Sequence, residues 1–299
     1  MFEQHLGEIA ALATALCWAA NALFFEDAGK RVGSIAVNLI RIYFGLVFLS
    51  IFNWISRGYI IPIDATSHAW IWLGLSGLIG LVIGDLLLFE AFVVVGARVA
   101  MLIMSLVPII TAIISWFILG ETMTLLEIFG MIVTITGVCL VILERRDGGK
   151  VWKFRHPIAG ILFAFGGAAG QSIGLVLSKF GMGDYNAFAA TQIRLIAGCL
   201  GFLPVIFVLR KWKNIFRAFK NWNAIRSITA GSFVGPFLGV SLSLVAIQFT
   251  KAGIASTIIA ISPVIIIPFS IKFFNEKVTG LEIFGAIISV LGISIYFLS

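Results

Sequence analysis

The chain has 299 residues, of which 60% are apolar and only 12% are charged, with a formal net charge of +7. Soluble domains average about 45–50% apolar and about 25% charged residues, so this composition excludes a soluble globular protein. The positive charge does not indicate nucleic acid as a partner, because the basic residues concentrate in two segments between apolar runs, where they suit anionic lipid headgroups.

Ten apolar runs are long enough to cross a bilayer as helices, which takes about 20 residues for roughly 30 Å of hydrocarbon. The runs are continuous rather than alternating, which excludes a strand barrel. We therefore predict an all-α membrane protein with ten transmembrane helices. In chain order the runs are 8–25, 34–56, 69–93, 97–118, 125–143, 158–178, 187–209, 227–249, 253–271 and 280–298.

The second half of the chain repeats the first. Residues 80–144 reappear at 235–299 without a gap, each position shifted by 155 residues. The segment Leu126–Gly130 returns as Leu281–Gly285, and matched glycine, proline and glutamate residues rarely coincide by chance. Each repeat holds five spans, and because five is odd the second repeat enters the membrane upside down. The predicted units are therefore two inverted repeats at 1–144 and 158–299, joined by a basic loop at 145–157.

The repeated residues resemble the drug/metabolite transporter superfamily, specifically its ten-span group with two EamA-type repeats. The resemblance covers nearly the whole chain. It rests on a glycine-rich third span with Gly80 and Gly84, a fourth span with a central Pro108, and a fifth span with Gly130 and Gly137, all of which recur in the second half. It implies a carrier whose cavity is lined by spans one, three, four, six, eight and nine, and it implies export. It does not identify the solute.

Asp85 is the strongest candidate for a functional residue. An ionisable side chain far from either end of a span is costly, which makes it a functional candidate by default. It could exchange a proton or receive a cationic solute, and the alternative is a structural bond to a neighbouring helix. Its repeat equivalent is Val240, which is compatible with a role for one half alone.

Three further charged residues within the predicted spans are candidates for coupling or for an ion pair. Glu90 is five residues beyond Asp85, roughly 140° around the helix and within a turn of the span end, so it does not share the face of Asp85. Arg41 and Arg194 occupy equivalent positions in the two repeats. Each could extend to its own membrane surface as a structural anchor, which is the favoured alternative, or pair with an acidic group such as Asp85.

Polar and aromatic side chains on spans one and six are candidate solute contacts. Trp18 and Asn21 lie at nearly the same depth as Gln171 and Ser172, and Phe89 on span three joins this set. Hydrogen bonding between helices is the equally good alternative for the polar members.

Pro108 and Pro263 are matched prolines in the middle of spans four and nine. Each lacks an N–H group and therefore interrupts helical hydrogen bonding. In lipid such a break is tolerated only against protein or a cavity. Paired broken helices indicate a transport path, and a simple packing kink is the alternative.

The sequence does not indicate an enzyme. The three histidines lie outside the predicted spans, and no phosphate-binding loop of the GxxxxGK[ST] type occurs. We predict no catalytic residue, no metal and no cofactor. The cysteines lie inside apolar runs without CxxC spacing and are expected to be inert.

Two arguments about orientation disagree. Lysine and arginine crowd the loops between spans five and six and between spans seven and eight, on the membrane side opposite the termini. The positive-inside rule then places both termini outside the cytoplasm, whereas the family resemblance implies cytoplasmic termini. The charge count is the stronger argument because it acts during insertion.

The predicted function is a secondary transporter of the cytoplasmic membrane. It would move a small metabolite or drug-like solute by alternating access, as a monomer or homodimer among membrane lipids. The alternative is a lipid-handling or regulatory membrane protein without a soluble substrate.

Overall fold

A computed structural model describes residues 5–95, 97–144, 158–209, 212–267 and 279–297. This part of the chain is helical, and nine of its helices are long and apolar enough to cross a membrane by length and composition. A tenth apolar helix, Ala252–Ile267, reaches the end of a described range, and the remainder of the predicted run 253–271 lies outside the described residues, as does the predicted loop 145–157. The all-α fold with ten spans is confirmed.

The helices follow the predicted runs, but span one continues seven residues past its predicted end and span eight begins five residues earlier, because cap residues and not hydropathy set where a helix stops. Thr124 and Thr279 begin the fifth span of each repeat with the same reciprocal cap. In span five, the Thr124 N–H donates to Glu127 Oε2 at 2.6 Å and the Glu127 N–H donates to Thr124 Oγ1 at 3.2 Å. The helical segments are span one Leu6–Val32, span two Ser34–Arg57, span three Ser67–Ser76, Gly77–Gly84 and Asp85–Val94, span four Ala97–Met104 and Val107–Leu119, span five Leu125–Glu144, span six Ile158–Met182, span seven Ala187–Leu209, span eight Trp222–Ser232, Phe233–Gly239 and Val240–Phe249, span nine Ala252–Ile259 with residues 262–267, and span ten Gly280–Ser294 with the 3₁₀ turn Ile295–Phe297.

Spans three and eight each contain a π-helical segment at the same place in the repeat. The segments are Gly77–Gly84 and Phe233–Gly239, and both end on the glycines related by the shift of 155 residues. π-Helical turns are rare and occur frequently at functional sites. Asp85 follows the first segment directly, and Val240 follows the second.

Spans four and nine are interrupted at equivalent positions. The first helix of span four ends at Met104 and the next begins at Val107, which places Pro108 in a first helical turn, where a missing N–H costs nothing. In span nine the helix ends at Ile259, and residues 262–267, which include Pro263, are helical again.

Spans five and ten pack against each other in opposite directions through matched glycines. A Cβ atom added to Gly137 would lie 2.5 Å from the Gly285 carbonyl oxygen, and one added to Gly130 would lie 3.1 Å from the Gly292 carbonyl oxygen. Later residues of one span therefore meet earlier residues of the other. This antiparallel contact between equivalent helices is what an inverted repeat requires, and the two inverted five-helix repeats are confirmed.

The first and third spans of each repeat pack against spans of the other repeat. Span three packs along span six, where a Cβ atom on Gly174 would lie 2.9 Å from Gly80 Cα. Span one packs along span eight, where a Cβ atom on Gly235 would lie 2.6 Å from Asn21 Cγ. Small residues let these backbones approach closely, and the central region therefore lies between the two repeats.

A short helix that was not predicted lies between spans seven and eight. Residues Trp212–Phe219 form it, with Ile215 and Ala218 buried and Phe216 and Phe219 exposed. An amphipathic helix beside a membrane span, in a basic segment, is typical of the bilayer interface.

Candidate functional site

Asp85 lies buried between the repeats, with 6% of its surface exposed. Span three carries it at the first residue after the π-helical segment. On the other side, span six approaches closely, because a Cβ atom on Gly170 would lie 2.8 Å from Gly84 Cα. The glycines before Asp85 thus bring span six near enough for its polar side chains to reach the carboxylate.

Two side chains bond Asp85 directly. Arg41 on span two donates from Nη2 to Asp85 Oδ2 as an ion pair. Gln171 on span six donates from Nε2 to Asp85 Oδ1 at 2.8 Å and lies 3.4 Å from the Gly80 carbonyl oxygen. The Arg41 guanidinium also lies 5.6 Å from the ring centre of Phe25 on span one, a distance at which an aromatic face attracts a cation. Asp85 therefore joins spans from both repeats.

Arg194 approaches the same carboxylate from span seven. It is 5% exposed and attracts Asp85 electrostatically, but its Nε has no hydrogen-bond partner among the described residues. Its backbone touches span three, since a Cβ atom on Gly77 would lie 2.3 Å from the Arg194 carbonyl oxygen. The favoured expectation that Arg41 and Arg194 anchor to opposite membrane surfaces is wrong, because both are buried and converge on Asp85.

The other predicted contacts lie around this cluster with different partners. Asn21 is buried against Gly235, and its Oδ1 has no hydrogen-bond partner in the described part of the chain. Trp18 is half-buried, with its ring 4.0 Å from the position of a Cβ atom on Gly239. Ser172 donates to the carbonyl oxygens of Ala168 at 2.9 Å and Val107 at 3.2 Å, so it holds span six against the interruption in span four.

Glu90 and Phe89 lie beyond Asp85 towards the end of span three. Glu90 is exposed, and Phe89 is half-buried. The structure thus brings together Asp85, Arg41, Arg194 and Gln171, and it leaves Glu90 outside the cluster, as the angular argument predicts.

A second polar cluster lies on the membrane side that holds both termini, which we call the terminus face. Lys179 pairs with Glu121 at 2.5 Å, and Lys251 pairs with Glu127 at 2.7 Å, so each pair joins the two repeats. Lys179 Nζ also donates to the Thr250 carbonyl oxygen at 2.6 Å. A cavity of about 580 Å³ lies here, lined in part by Glu127, Lys179 and Lys251, and none of the predicted site residues lines it.

Sequence reasoning missed this second cluster. Glu121 Oε2 accepts the N–H of Ala252 at 2.8 Å and so caps the start of span nine. The available signal was that Lys179 and Lys251 are among the few basic residues on this side of the membrane. Within the described residues, no group of three or more histidine, cysteine, aspartate or glutamate side chains could hold a metal ion.

Ten helices in two inverted repeats, with buried charges where the repeats meet, define a membrane transporter of the inverted-repeat class. The profile of the EamA-like transporter family matches residues 5–143 and again residues 158–298. The chain therefore belongs to the EamA-like transporter family, within the drug/metabolite transporter superfamily.

Two individual comparisons agree with this assignment. The chain is 28% identical to the uncharacterized transporter YvbV of Bacillus subtilis (strain 168) over 189 residues, which is 62% of this chain and 58% of that protein. It also aligns with a solved crystal structure at a TM-score of 0.78 and 17% identity, covering 99% of this chain and 97% of the other, which shows the fold.

Proposed function

We propose that this protein is a secondary transporter that exports a small metabolite or drug-like solute across the cytoplasmic membrane by alternating access. The observation that carries the proposal is the cluster of Asp85, Arg41, Arg194 and Gln171 between the repeats. Charged side chains inside a membrane are expensive, and where they persist they mark pathways for solutes or protons.

The positions of the two arginines support alternating access. Arg41 and Arg194 come from equivalent spans of inverted repeats and share one carboxylate. A rocking motion of one repeat against the other exchanges the environments of equivalent residues. Asp85 is then placed to release one arginine and attract the other as the cavity changes sides.

Asp85 is also the proposed coupling residue. Its carboxylate can take up a proton only when it separates from Arg41, so protonation and helix movement are linked. Trp18, Asn21, Phe89, Gln171 and Ser172 are proposed to line the solute path, with Pro108 and Pro263 supplying the interrupted helices at its edge.

The first prediction concerns export by cells that overproduce the protein. With the wild-type chain, one solute or a small chemical group of solutes should accumulate in the medium, as measured by mass spectrometry against an empty-vector strain. The Asp85→Asn variant should lose this accumulation by at least about tenfold, because tenfold in rate corresponds to only about 1.4 kcal/mol in the barrier.

The matched control is Glu90→Gln, which removes a carboxylate from the same span outside the cluster and should export normally. The amount of each variant protein in the membrane is measured. If the Asp85→Asn protein is not found in the membrane, the double variant Asp85→Asn/Arg41→Gln replaces it in the export assay. Normal export by an Asp85 variant, or media that do not differ from the empty-vector strain, would contradict the proposal.

A further inference from the structure

The buried cluster contains more positive charge than negative charge. Arg41 and Arg194 each carry one positive charge, and Asp85 carries one negative charge, while Gln171 is neutral. The Nη2 group of the Arg41 guanidinium donates a hydrogen bond to Asp85. The Arg194 side chain has no hydrogen bond to another described side chain, its Nε is without a partner among the described residues, and it interacts with Asp85 only through space.

An unpaired guanidinium in the interior of a membrane protein is unfavourable. Removing a charge from water costs several kcal/mol unless a counter-charge and hydrogen bonds compensate. Arg194 nevertheless lies 95% buried, in a span whose remaining residues at this depth are largely apolar. The donor groups of Arg194 are therefore available to an acceptor that the described residues do not supply.

The Arg194 guanidinium lies where spans three and six meet. A Cβ atom on Gly80 would lie 3.6 Å from Arg194 Nη2 and 3.4 Å from Gly174 Cα, so an acceptor bound by Arg194 would sit at the contact between the two repeats. Gln171 Nε2 lies 3.4 Å from the carbonyl oxygen of the same glycine. Because Gln171 Nε2 also donates to Asp85 Oδ1, the open N–H groups of the cluster belong to Arg194, next to a carboxylate that Arg41 already holds.

We propose that Arg194 is the receptor for a carboxylate group of the transported solute. The proposal rests on the proposed transport function and names the chemical class of its substrate. A guanidinium binds a carboxylate through two parallel N–H···O bonds, which fixes its orientation as well as its charge. A single negative charge also brings the cluster to neutrality, which a doubly charged phosphate does not.

Thermal unfolding of the purified full chain tests this proposal without a transport assay. The eight tryptophans supply the fluorescence signal. The probes are benzoate and hexanoate, their neutral amides benzamide and hexanamide, and inorganic phosphate, all at equal ionic strength and neutral pH. Carboxylates should raise the Tm of the wild-type chain by about 2–4 °C more than the matched amides at saturating concentration.

The variants assign the effect to one side chain. Arg194→Gln should abolish the difference between carboxylate and amide. Arg226→Gln removes an exposed arginine near the membrane face opposite the termini, and this variant should retain the difference between carboxylate and amide. Arg194→Lys keeps the charge but loses the paired donors, so it should retain less than half of the shift, and it replaces Arg194→Gln if that variant does not fold.

Three outcomes would overturn the proposal. The first is equal stabilisation by carboxylates and amides, which includes no stabilisation by either. The second is a carboxylate shift in Tm that persists in Arg194→Gln. The third is stabilisation by phosphate alone. Export of a cationic or neutral solute in the cell assay with a negative result here would remove the substrate class and leave the transport function standing. A carboxylate shift in Tm without any export by cells would leave carboxylate binding standing and remove the proposed transport function.

Discussion

Asp85 balances two buried guanidinium groups with one carboxylate, which makes the order of stabilities among its variants predictable. Asp85→Asn leaves Arg41 and Arg194 without any counter-charge, and breaking a buried pair in this way costs about 3–5 kcal/mol. Arg41→Gln should cost less, because Arg194 still faces the carboxylate. Arg194→Gln should cost nothing or raise the Tm, since it removes the excess charge.

Thermal unfolding of the three variants in detergent measures this order. Arg31→Gln is the control, because its pair with Asp27 is exposed and should contribute almost nothing. If Arg194→Gln were the least stable of the set, Arg194 would be a structural residue and the charge argument would fail.

Asp85 could be identified from the sequence because a carboxylate in the middle of an apolar run is conspicuous. Its partners could not, because hydropathy locates a residue along a helix but says little about which neighbouring helix it faces. Arg41 and Arg194 were equally compatible with membrane anchoring, and only the packing of span seven against the Gly77–Gly84 segment brings Arg194 inward.

Among the helical elements, spans five and ten form a tightly constrained contact. A Cβ atom on Gly137 would lie 2.4 Å from Ser289 Oγ and 2.5 Å from the Gly285 carbonyl oxygen, and a backbone oxygen cannot move aside cheaply. Gly137→Ala should therefore destabilise the protein by about 1–3 kcal/mol, which overpacking of a close contact typically costs.

Gly74→Ala is the matched control, because Gly74 lies inside a helix of span three with no atom within 4 Å of an added Cβ. It should be neutral or slightly stabilising, since alanine favours helices. Thermal unfolding distinguishes the two substitutions. Equal stability of both variants would show that spans five and ten do not approach as closely as described.

Element boundaries and types differ in how far the sequence predicts them. The capped starts at Thr124 and Thr279 and the interruptions near Pro108 and Pro263 follow from local chemistry. The two π-helical segments do not, because their glycines fit the close packing of ordinary helices equally well. They occur at equivalent positions, where spans three and eight pack closely against spans six and one.

At the scale of the whole molecule, the distribution of charge predicts the orientation in the membrane. Basic residues concentrate between spans seven and eight, where the amphipathic helix Trp212–Phe219 exposes Phe216 and Phe219 on the face opposite the termini. Positive charge is retained in the cytoplasm, so both termini should be extracytoplasmic. A C-terminal fluorescent protein that matures only in the cytoplasm should stay dark, and a C-terminal alkaline phosphatase should be active. The reverse pattern would place both termini in the cytoplasm and support the orientation implied by the family resemblance.

The terminus face is held together by contacts between repeats, and this suggests how the molecule closes on that side. Lys179–Glu121 and Lys251–Glu127 each join the second repeat to the first. The inverted equivalent of Glu127 is Glu282, which caps its own helix. The equivalent of Glu121, Glu276, lies outside the described residues. We expect the double variant Glu121→Gln/Glu127→Gln to weaken closure on the terminus face, because each lysine then loses its counter-charge.

Cys17 on span one reports this opening, because it lies next to Trp18 and packs against Gly239 in the interior. In a background with Cys139→Ser and Cys199→Ser, an impermeant maleimide added from the terminus face should label Cys17 severalfold faster in the double variant than in the parent. Glu90→Gln, which alters a carboxylate at the other end of span three, should leave the rate unchanged. An unchanged rate in the double variant would mean that the ion pairs stabilise the loops without controlling access, and that closure on this face depends on the apolar packing between the repeats.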